Sequence, residues 1–313
     1  MAVSLRGRNL VSVANFTAEE VWQVLKTAET LKLEHYRGQP HPILAGKTLG
    51  MIFQKPSLRT RVSFEVGMTQ LGGHAIYLAP ADISLGKRET TEDIAIVLSR
   101  YCDILMARVF GHDIVADLAE HATVPVINGL SDLEHPCQIL ADLLTIYEKK
   151  DGIMGLDAVY SGDGNNVAHS LMYGAALLGM NLTVATPPGR EPNPEILERS
   201  QVIAEASACE IRVSNDLMES CRGADVIYTD VWASMGQEAE AEDRKKLFAP
   251  YQINEALLEV ADEQAIILHC LPAHYGEEID YAASRSQNSV IFDQAENRLH
   301  AQKALLALVG GER

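Results

Sequence analysis

The 313-residue chain has few cysteines, few aromatic residues and little positive charge. Its five cysteines, Cys102, Cys137, Cys209, Cys221 and Cys270, are odd in number and form no Cys-x-x-Cys pair. That argues against both a disulfide framework and a zinc ribbon, and reads as reduced thiols in a cytoplasmic protein. The ten histidines include no His-Glu-x-x-His or similar ligand spacing, so no metal is expected. Lys and Arg total 26 against 43 Asp and Glu, a net charge of −17. Nucleic acid needs a basic face, so it is a poor candidate partner. No apolar run reaches the roughly 18 residues of a membrane span. The first residues, "MAVSLRGRNLVSV", lack the apolar core of a signal peptide. No internal repeat or low-complexity segment is present.

What the chain does have is apolar content, 47% of residues, and enough length for two domains. Thr17 and Glu20 form a capping box, and Val21, Val24, Leu25, Ala28 and Leu31 keep a helical period after it. Short apolar runs then alternate with amphipathic ones. Strands are expected at 49–53, 74–78, 103–108 and 124–128, with helices at 57–71, 91–101 and 112–121 and along "HPCQILADLLTIYEKK". After the charged joint "KKDGIMGL" come strands at 158–162, 182–186, 211–214, 225–230 and 265–270. Helices at 167–179, 194–207, 216–222 and 253–261 separate them, and a last helix covers about 295–309. Such alternation implies an α/β protein of two doubly wound parallel sheets, whose ligands gather beyond the carboxyl ends of the strands.

Residues 55–65, "KPSLRTRVSFE", place Arg59 and Arg61 in the first turn of a helix, where acidic residues are favoured. Ser57 can cap that helix, and its free N–H groups make an anion site. A helix end alone contributes roughly 0.3–1 kcal/mol, whereas micromolar affinity requires about 8 kcal/mol. Charge-assisted hydrogen bonds of roughly 1.5–3 kcal/mol each must supply the rest, and Arg59 can give two in fork geometry. A solvated basic helix start is the plainer alternative. Arg108 ends an apolar strand, where an ion-pair role is ordinary. His135 precedes Pro136, which can open the next helix and leave His135 and Gln138 near its start.

In the second half "SGDGNN" looks like a dinucleotide fingerprint, but Val167 stands where that pattern needs Gly. "TDVWASMGQE" sets Asp230, Ser234 and Met235 in a loop with Gly236, and "HCLPAHYGEE" presents His269 and Cys270. Neighbours on a strand point to opposite faces, which argues against a His–Cys nucleophile dyad.

Taken in order, "SLRTR", "HPCQ", "DVWASMG", "HCLP" and "AENR" resemble the ornithine carbamoyltransferases, of the aspartate/ornithine carbamoyltransferase superfamily, over nearly the whole chain. The resemblance implies transfer of the carbamoyl group of carbamoyl phosphate to the δ-amine of ornithine, giving citrulline and phosphate with no cofactor. Ser57, Arg59, Thr60 and the backbone at Leu58 would hold the phosphate. Arg108, His135, Gln138, Arg298 and the backbone at Cys270 and Leu271 would hold the carbamoyl end. Asn166, Asp230, Ser234 and Met235 would bind ornithine, with Arg59, Arg108, His135, Asp230 and Cys270 carrying the chemistry. Arg61 is left as an ion-pair partner, with Glu65 in reach. Leu58 replaces the family's usual Thr and keeps only the N–H. Ser84 stands where a longer Gln or His reaches a neighbouring subunit's site. The resemblance further implies a carbamoyl phosphate domain over 1–148, an ornithine domain over 149–292 and an active site in the cleft between them. Residues 293–313 would form a helix packing back on the first domain, in a homotrimer or a multiple of trimers. A carbamoyltransferase for another amine (putrescine or N-acetylornithine) and a non-catalytic anion-binding module are the competing readings.

Overall fold

Runs such as "LGMIF" and "DILMAR" fold as strands buried on both faces, as a sheet covered by helices requires. The computed structural model describes residues 3–83, 85, 89–233 and 240–311. Its first half contains α1 (Ala18–Tyr36), β1 (Thr48–Phe53), α2 (Leu58–Gln70), β2 (His74–Leu78), α3 (Pro80–Ile83), α4 (Thr91–Leu98), β3 (Ile104–Arg108), α5 (His112–His121), β4 (Val126–Leu130) and α6 (Pro136–Lys150). The second half continues with β5 (Asp157–Ser161), α7 (Asn166–Leu178), β6 (Asn181–Ala185), α8 (Pro194–Ser207), β7 (Ile211–Ser214), α9 (Leu217–Ser220) and β8 (Val226–Thr229). It ends with α10 (Ala241–Phe248), α11 (Glu255–Leu258), β9 (Ile266–His269), α12 (Tyr281–Arg285) and α13 (Ile291–Gly310).

The strands form two sheets, in the orders β2-β1-β3-β4 and β7-β6-β5-β8-β9. Every pairing is parallel, as the alternation of elements implied. The chain divides into two compact units, Met1–Leu144 with Glu296–Arg313, and Thr145–Ala295. The division falls inside α6 and α13.

Local chemistry explains most element ends. Thr17 Oγ1 accepts from Glu20 N–H at 3.2 Å and Glu20 Oε2 accepts from Thr17 N–H at 2.8 Å, closing the expected capping box on α1. β4 starts at Val126, two residues later than the sequence pattern suggests, because Pro125 has no N–H for the ladder. Leu10 bridges to Ile127 and covers the outer edge of β4. α11 is a single turn where a helix over 253–261 was expected. α10 was not foreseen; its sequence "AEDRKKLF" shows no apolar stripe, and it buries only Arg244 and Phe248.

α13 begins one turn earlier than its pattern suggests and carries a fully buried lysine. Lys303 Nζ donates to the Leu31 carbonyl of α1 at 3.3 Å and to Gln70 Oε1 of α2 at 2.9 Å. Burial pulls its ammonium down to about 8, with Glu34 opposing. Above the folded value the unfolded chain still binds the proton that the folded chain has released, so stability rises with pH across the interval from about 8 to 10.5. Lys303→Met should remove that part of the slope. Chemical denaturation of both proteins at several pH values checks it, and identical slopes would discard this account of Lys303.

Candidate active site

In the first unit the strand order runs outward in both directions from β1 and β3, so their carboxyl ends define a switch point. The two ends are stitched together. Gln54 N–H donates to the Arg108 carbonyl at 2.9 Å, and Phe110 N–H donates to Gln54 Oε1 at 2.8 Å. Ser57 caps α2 there, its Oγ accepting from Thr60 N–H at 3.3 Å.

The two first-turn arginines differ sharply. Arg61 Nε donates to Glu65 Oε1 at 2.9 Å, and its guanidinium lies 4.1 Å from the centre of the Tyr77 ring. Among the described residues the Arg59 side chain makes no ion pair or hydrogen bond, although 43 acidic residues are available in the chain. Leu58, which precedes both arginines, is 76% exposed, so its backbone N–H rather than its side chain belongs to the helix start.

Arg108, His135, Gln138 and Arg298 are all buried in this unit. His135 precedes α6, as its Pro neighbour suggested. Burial, and then the charges of Arg298, Arg108 and Arg59, hold its imidazole well below the ordinary histidine value, so it is neutral at pH 7. Arg298 Nη1 donates to Gln138 Oε1 at 2.6 Å and Nη2 donates to Thr60 Oγ1 at 3.4 Å. The structure therefore gathers Ser57, Arg59, Thr60, Arg108, His135, Gln138 and Arg298, contributed by α2, β3, α6 and α13, into one cationic group.

The second unit repeats the arrangement with the opposite charge. Its switch point lies between β5 and β8, tied by Thr229 Oγ1–H donating to the Ser161 carbonyl at 2.8 Å. Asp230 follows β8 and is buried. One of its oxygens accepts from Val231 N–H and from the Cys270 thiol, each at 2.8 Å. The other accepts from Asn165 Nδ2 at 3.0 Å. Three donors on one carboxylate fix its position. Asn166 opens α7 beside this group, half-buried. Ser84, Ser234 and Met235 lie outside the described residues.

One expectation is corrected. His269 and Cys270 were expected on opposite faces of a strand, yet a ring nitrogen of His269, Cys270 Sγ and an Asp230 oxygen lie within 4.8 Å of one another. β9 ends at His269, and Leu271 turns the chain with φ +57, so alternation no longer applies. A nucleophile dyad still does not result. His269 Nδ1 accepts from Leu271 N–H at 2.9 Å, which leaves Nε2–H to donate to buried Glu278 at 3.0 Å. The thiol is a donor to Asp230, and both histidine nitrogens are occupied, so these three groups form a closed hydrogen-bond set rather than a ready ligand set for a metal. With its N–H engaged, Leu271 can offer a ligand its carbonyl oxygen.

Sequence reading missed three residues. Asn165 caps α7, accepting at its Oδ1 from Val167 N–H, Ala168 N–H and the Tyr160 hydroxyl, while its amide holds Asp230; its place before a helix was the available signal. Burial and then Asp230 and Cys270 push the Tyr160 phenol well up, so it remains a donor. Arg244 of α10 is buried and donates to Asp163 Oδ2 at 2.8 Å and to the Trp232 carbonyl at 2.9 Å. Nothing in its charged sequence context marked it. Gly164 in "SGDGNN" also has a packing reason, since a Cβ there would lie 2.3 Å from Pro192 N.

Comparison with known proteins finds a family match for both units. The carbamoyl-P binding domain model of the aspartate/ornithine carbamoyltransferases matches residues 8–148, and their Asp/Orn binding domain model matches 154–309. The chain is 56% identical over 311 residues to a protein named anabolic ornithine carbamoyltransferase from Pyrococcus furiosus, covering 99% of each. It is 57% identical over 311 residues to the ornithine carbamoyltransferase of Thermococcus kodakarensis, again with 99% of each covered. The solved structure of the Pyrococcus furiosus enzyme superposes with a TM-score of 0.96 over 98% of both chains, and that of Gloeobacter violaceus, 45% identical, with 0.88 over 99% and 100%. With both domain models matched and more than half of its residues shared with full-length relatives, the chain belongs to the aspartate/ornithine carbamoyltransferase family of enzymes.

Proposed function

We propose that the protein transfers the carbamoyl group of carbamoyl phosphate to the δ-amine of L-ornithine, releasing citrulline and phosphate. The observation that carries this reading is Arg59, set in the first turn of α2 behind its Ser57 cap and making no contact with an acidic residue among those described. A phosphate dianion fits that vacancy in the local charge balance. It would bind to the Ser57 hydroxyl, the N–H groups of the turn, the Arg59 fork and Thr60. Arg108, neutral His135 and Arg298 would act on the carbamoyl carbonyl, where negative charge develops as the amine attacks. The neutral δ-amine attacks and the N–C bond forms; as the tetrahedral intermediate collapses, the C–O bond to phosphate breaks and the proton lost by the amine passes to the departing phosphate. Because the donor is already activated, positioning and charge stabilisation suffice. Asp230, fixed by three donors, suits an ammonium group of the acceptor, and Cys270 assists as a hydrogen-bond donor to it. The family names ornithine and aspartate as acceptors. An anionic anchor such as Asp230 favours the diamino acid over the dicarboxylic one.

The exposed apolar residues Leu58, Val62 and Val66 recur every four positions along α2, and Ile76 of edge strand β2 is exposed as well. This face suits association between copies, in keeping with the trimer that the resemblance implies. All five cysteines are unpaired, which suits a reducing compartment.

Three measurements test these assignments. Arg59→Lys keeps the charge but loses the fork. It should cost at least about 2 kcal/mol of transition-state stabilisation, roughly thirtyfold in kcat/KM; near-normal kinetics would remove Arg59 from the site. Citrulline formation should favour ornithine over putrescine by about a hundredfold or more in specificity constant, since putrescine lacks the α-carboxylate and α-amine and loses two charged hydrogen bonds. Equal constants would transfer the activity to a simple diamine. Sedimentation should give a mass that is a multiple of three times the 34.2 kDa chain, and a monomer would refute the assembly.

A further inference from the structure

Gln138 stands in the first turn of α6, and its amide is held at both ends. Arg298 Nη1 can only donate, and it meets Oε1 at 2.6 Å. Asp142 Oδ1 accepts from Nε2 at 2.8 Å. The two neighbours agree on one orientation, because a flipped amide would set donor against donor and oxygen against oxygen. Asp142 lies one turn further along α6, fully buried and on the same face of the helix. The chain of contacts continues outward. Arg298 Nη2 donates to Thr60 Oγ1 at 3.4 Å, and the Ser57 hydroxyl donates to the same oxygen at 3.1 Å. A buried carboxylate is thus linked through Gln138 and Arg298 to the cap of α2, entirely within the first unit.

We propose that Asp142 is a positioning residue that makes the site selective for a carbamoyl over an acyl phosphate. It does so by occupying Nε2 of Gln138, so that only the carbonyl oxygen Oε1 is turned to the ligand. The inference rests on the carbamoyl phosphate reading above. A carbonyl oxygen has two lone-pair directions, and Arg298 uses one. The second can accept from an NH2 group. The carbamoyl group ends in NH2, whereas the acetyl group of acetyl phosphate ends in a methyl of similar size with no donor. A site built to accept that hydrogen rejects the analogue lacking it, because its polar atom is then left unmatched. Were the amide free to turn, NH2 could face the ligand instead. It would repel the carbamoyl NH2, crowd Arg298, and leave the methyl analogue unaffected. Carboxylate identity at position 142 therefore bears on the far end of the ligand, the end that distinguishes carbamoyl from acetyl, and not on the phosphate.

Four variants of the full-length enzyme test this, with KM for carbamoyl phosphate and inhibition constants for acetyl phosphate and inorganic phosphate measured at saturating ornithine. Asp142→Leu should raise the carbamoyl phosphate KM by about tenfold, the effect of one lost hydrogen bond with its partner left unmatched. Both inhibition constants should move by less than about threefold. Asp142→Asn should stay within about threefold of the parent throughout, because its amide oxygen can still accept from Nε2. Gln138→Glu sets two carboxylates against each other and should be strongly impaired. Adding Asp142→Asn to it should restore about tenfold or more in kcat/KM, since the new amide can donate to Glu while the other Glu oxygen faces Arg298. Equal weakening of all three ligands in the Leu variant would reduce Asp142 to a structural role and overturn the inference. If the Leu variant does not fold, the failure of the double variant to recover over Gln138→Glu overturns it instead. A parent enzyme that forms no citrulline would overturn the functional reading.

Discussion

Gathering Arg59, Arg108 and Arg298 about the buried His135 concentrates positive charge where three side chains and a helix end all repel one another. Two like charges about 6 Å apart repel by roughly 3 kcal/mol at an effective dielectric of about 20, so the arrangement must be held by the rest of the fold. His135 contributes by remaining neutral, which avoids a fourth charge. Gln138 and Thr60 contribute oxygen atoms that take hydrogen bonds from Arg298 without cancelling its charge. Stitching of Gln54 to the Arg108 carbonyl and to Phe110 fixes the strand ends from which the group projects. Such a fixed field is the preorganisation that strong electrostatic stabilisation of an anion requires.

The second unit solves a complementary problem with the same topology. Both units place their polar group where the strand order reverses, beyond the carboxyl ends of adjacent parallel strands. One carboxylate takes the place of the three guanidinium groups, and Asn165, Val231 and Cys270 hold it with three donors. A carboxylate so bound is an acceptor with a fixed direction, suited to a cationic ligand. Arg244 serves this group without joining it, holding Asp163 and the Trp232 carbonyl on either side. One fold thus supplies an anion-accepting end and a cation-accepting end through changes confined to the turns after the strands.

The two parallel sheets were legible in the sequence because parallel strands buried on both faces are nearly continuous apolar runs, and "LGMIF" or "DILMAR" can be read without knowing their neighbours. Much of the first unit's group was legible too. Ser57 is a cap, and Arg59 breaks the charge rule for helix starts. What escaped depends on long-range contact. Arg244 sits in a charged octapeptide that reads as a solvent-facing turn, and only the fold shows that it is buried. Asn165 and Asn166 are adjacent and chemically identical; the resemblance marked Asn166 for ornithine, while the bond from its neighbour Asn165 to Asp230 joins turns 65 residues apart. The argument that His269 and Cys270 face apart was sound for a strand and failed because the strand stops between them. Asp142 was invisible for a different reason. It lies one turn beyond "HPCQ", and an acidic residue at that spacing on a helix is ordinarily solvated.

The first compact unit is discontinuous, built from residues up to Leu144 and from Glu296 onward, while the second is a single stretch between them. During synthesis, which runs from the amino end, the second unit is complete while the first still lacks its last helix. That helix supplies Arg298 to the anion-binding group and Lys303 to the packing of α1 and α2. A chain that stops at Ala295 therefore has a complete second unit and an unfinished first one. The positive group around His135 is complete only once Arg298 has been added, after every residue of the second unit.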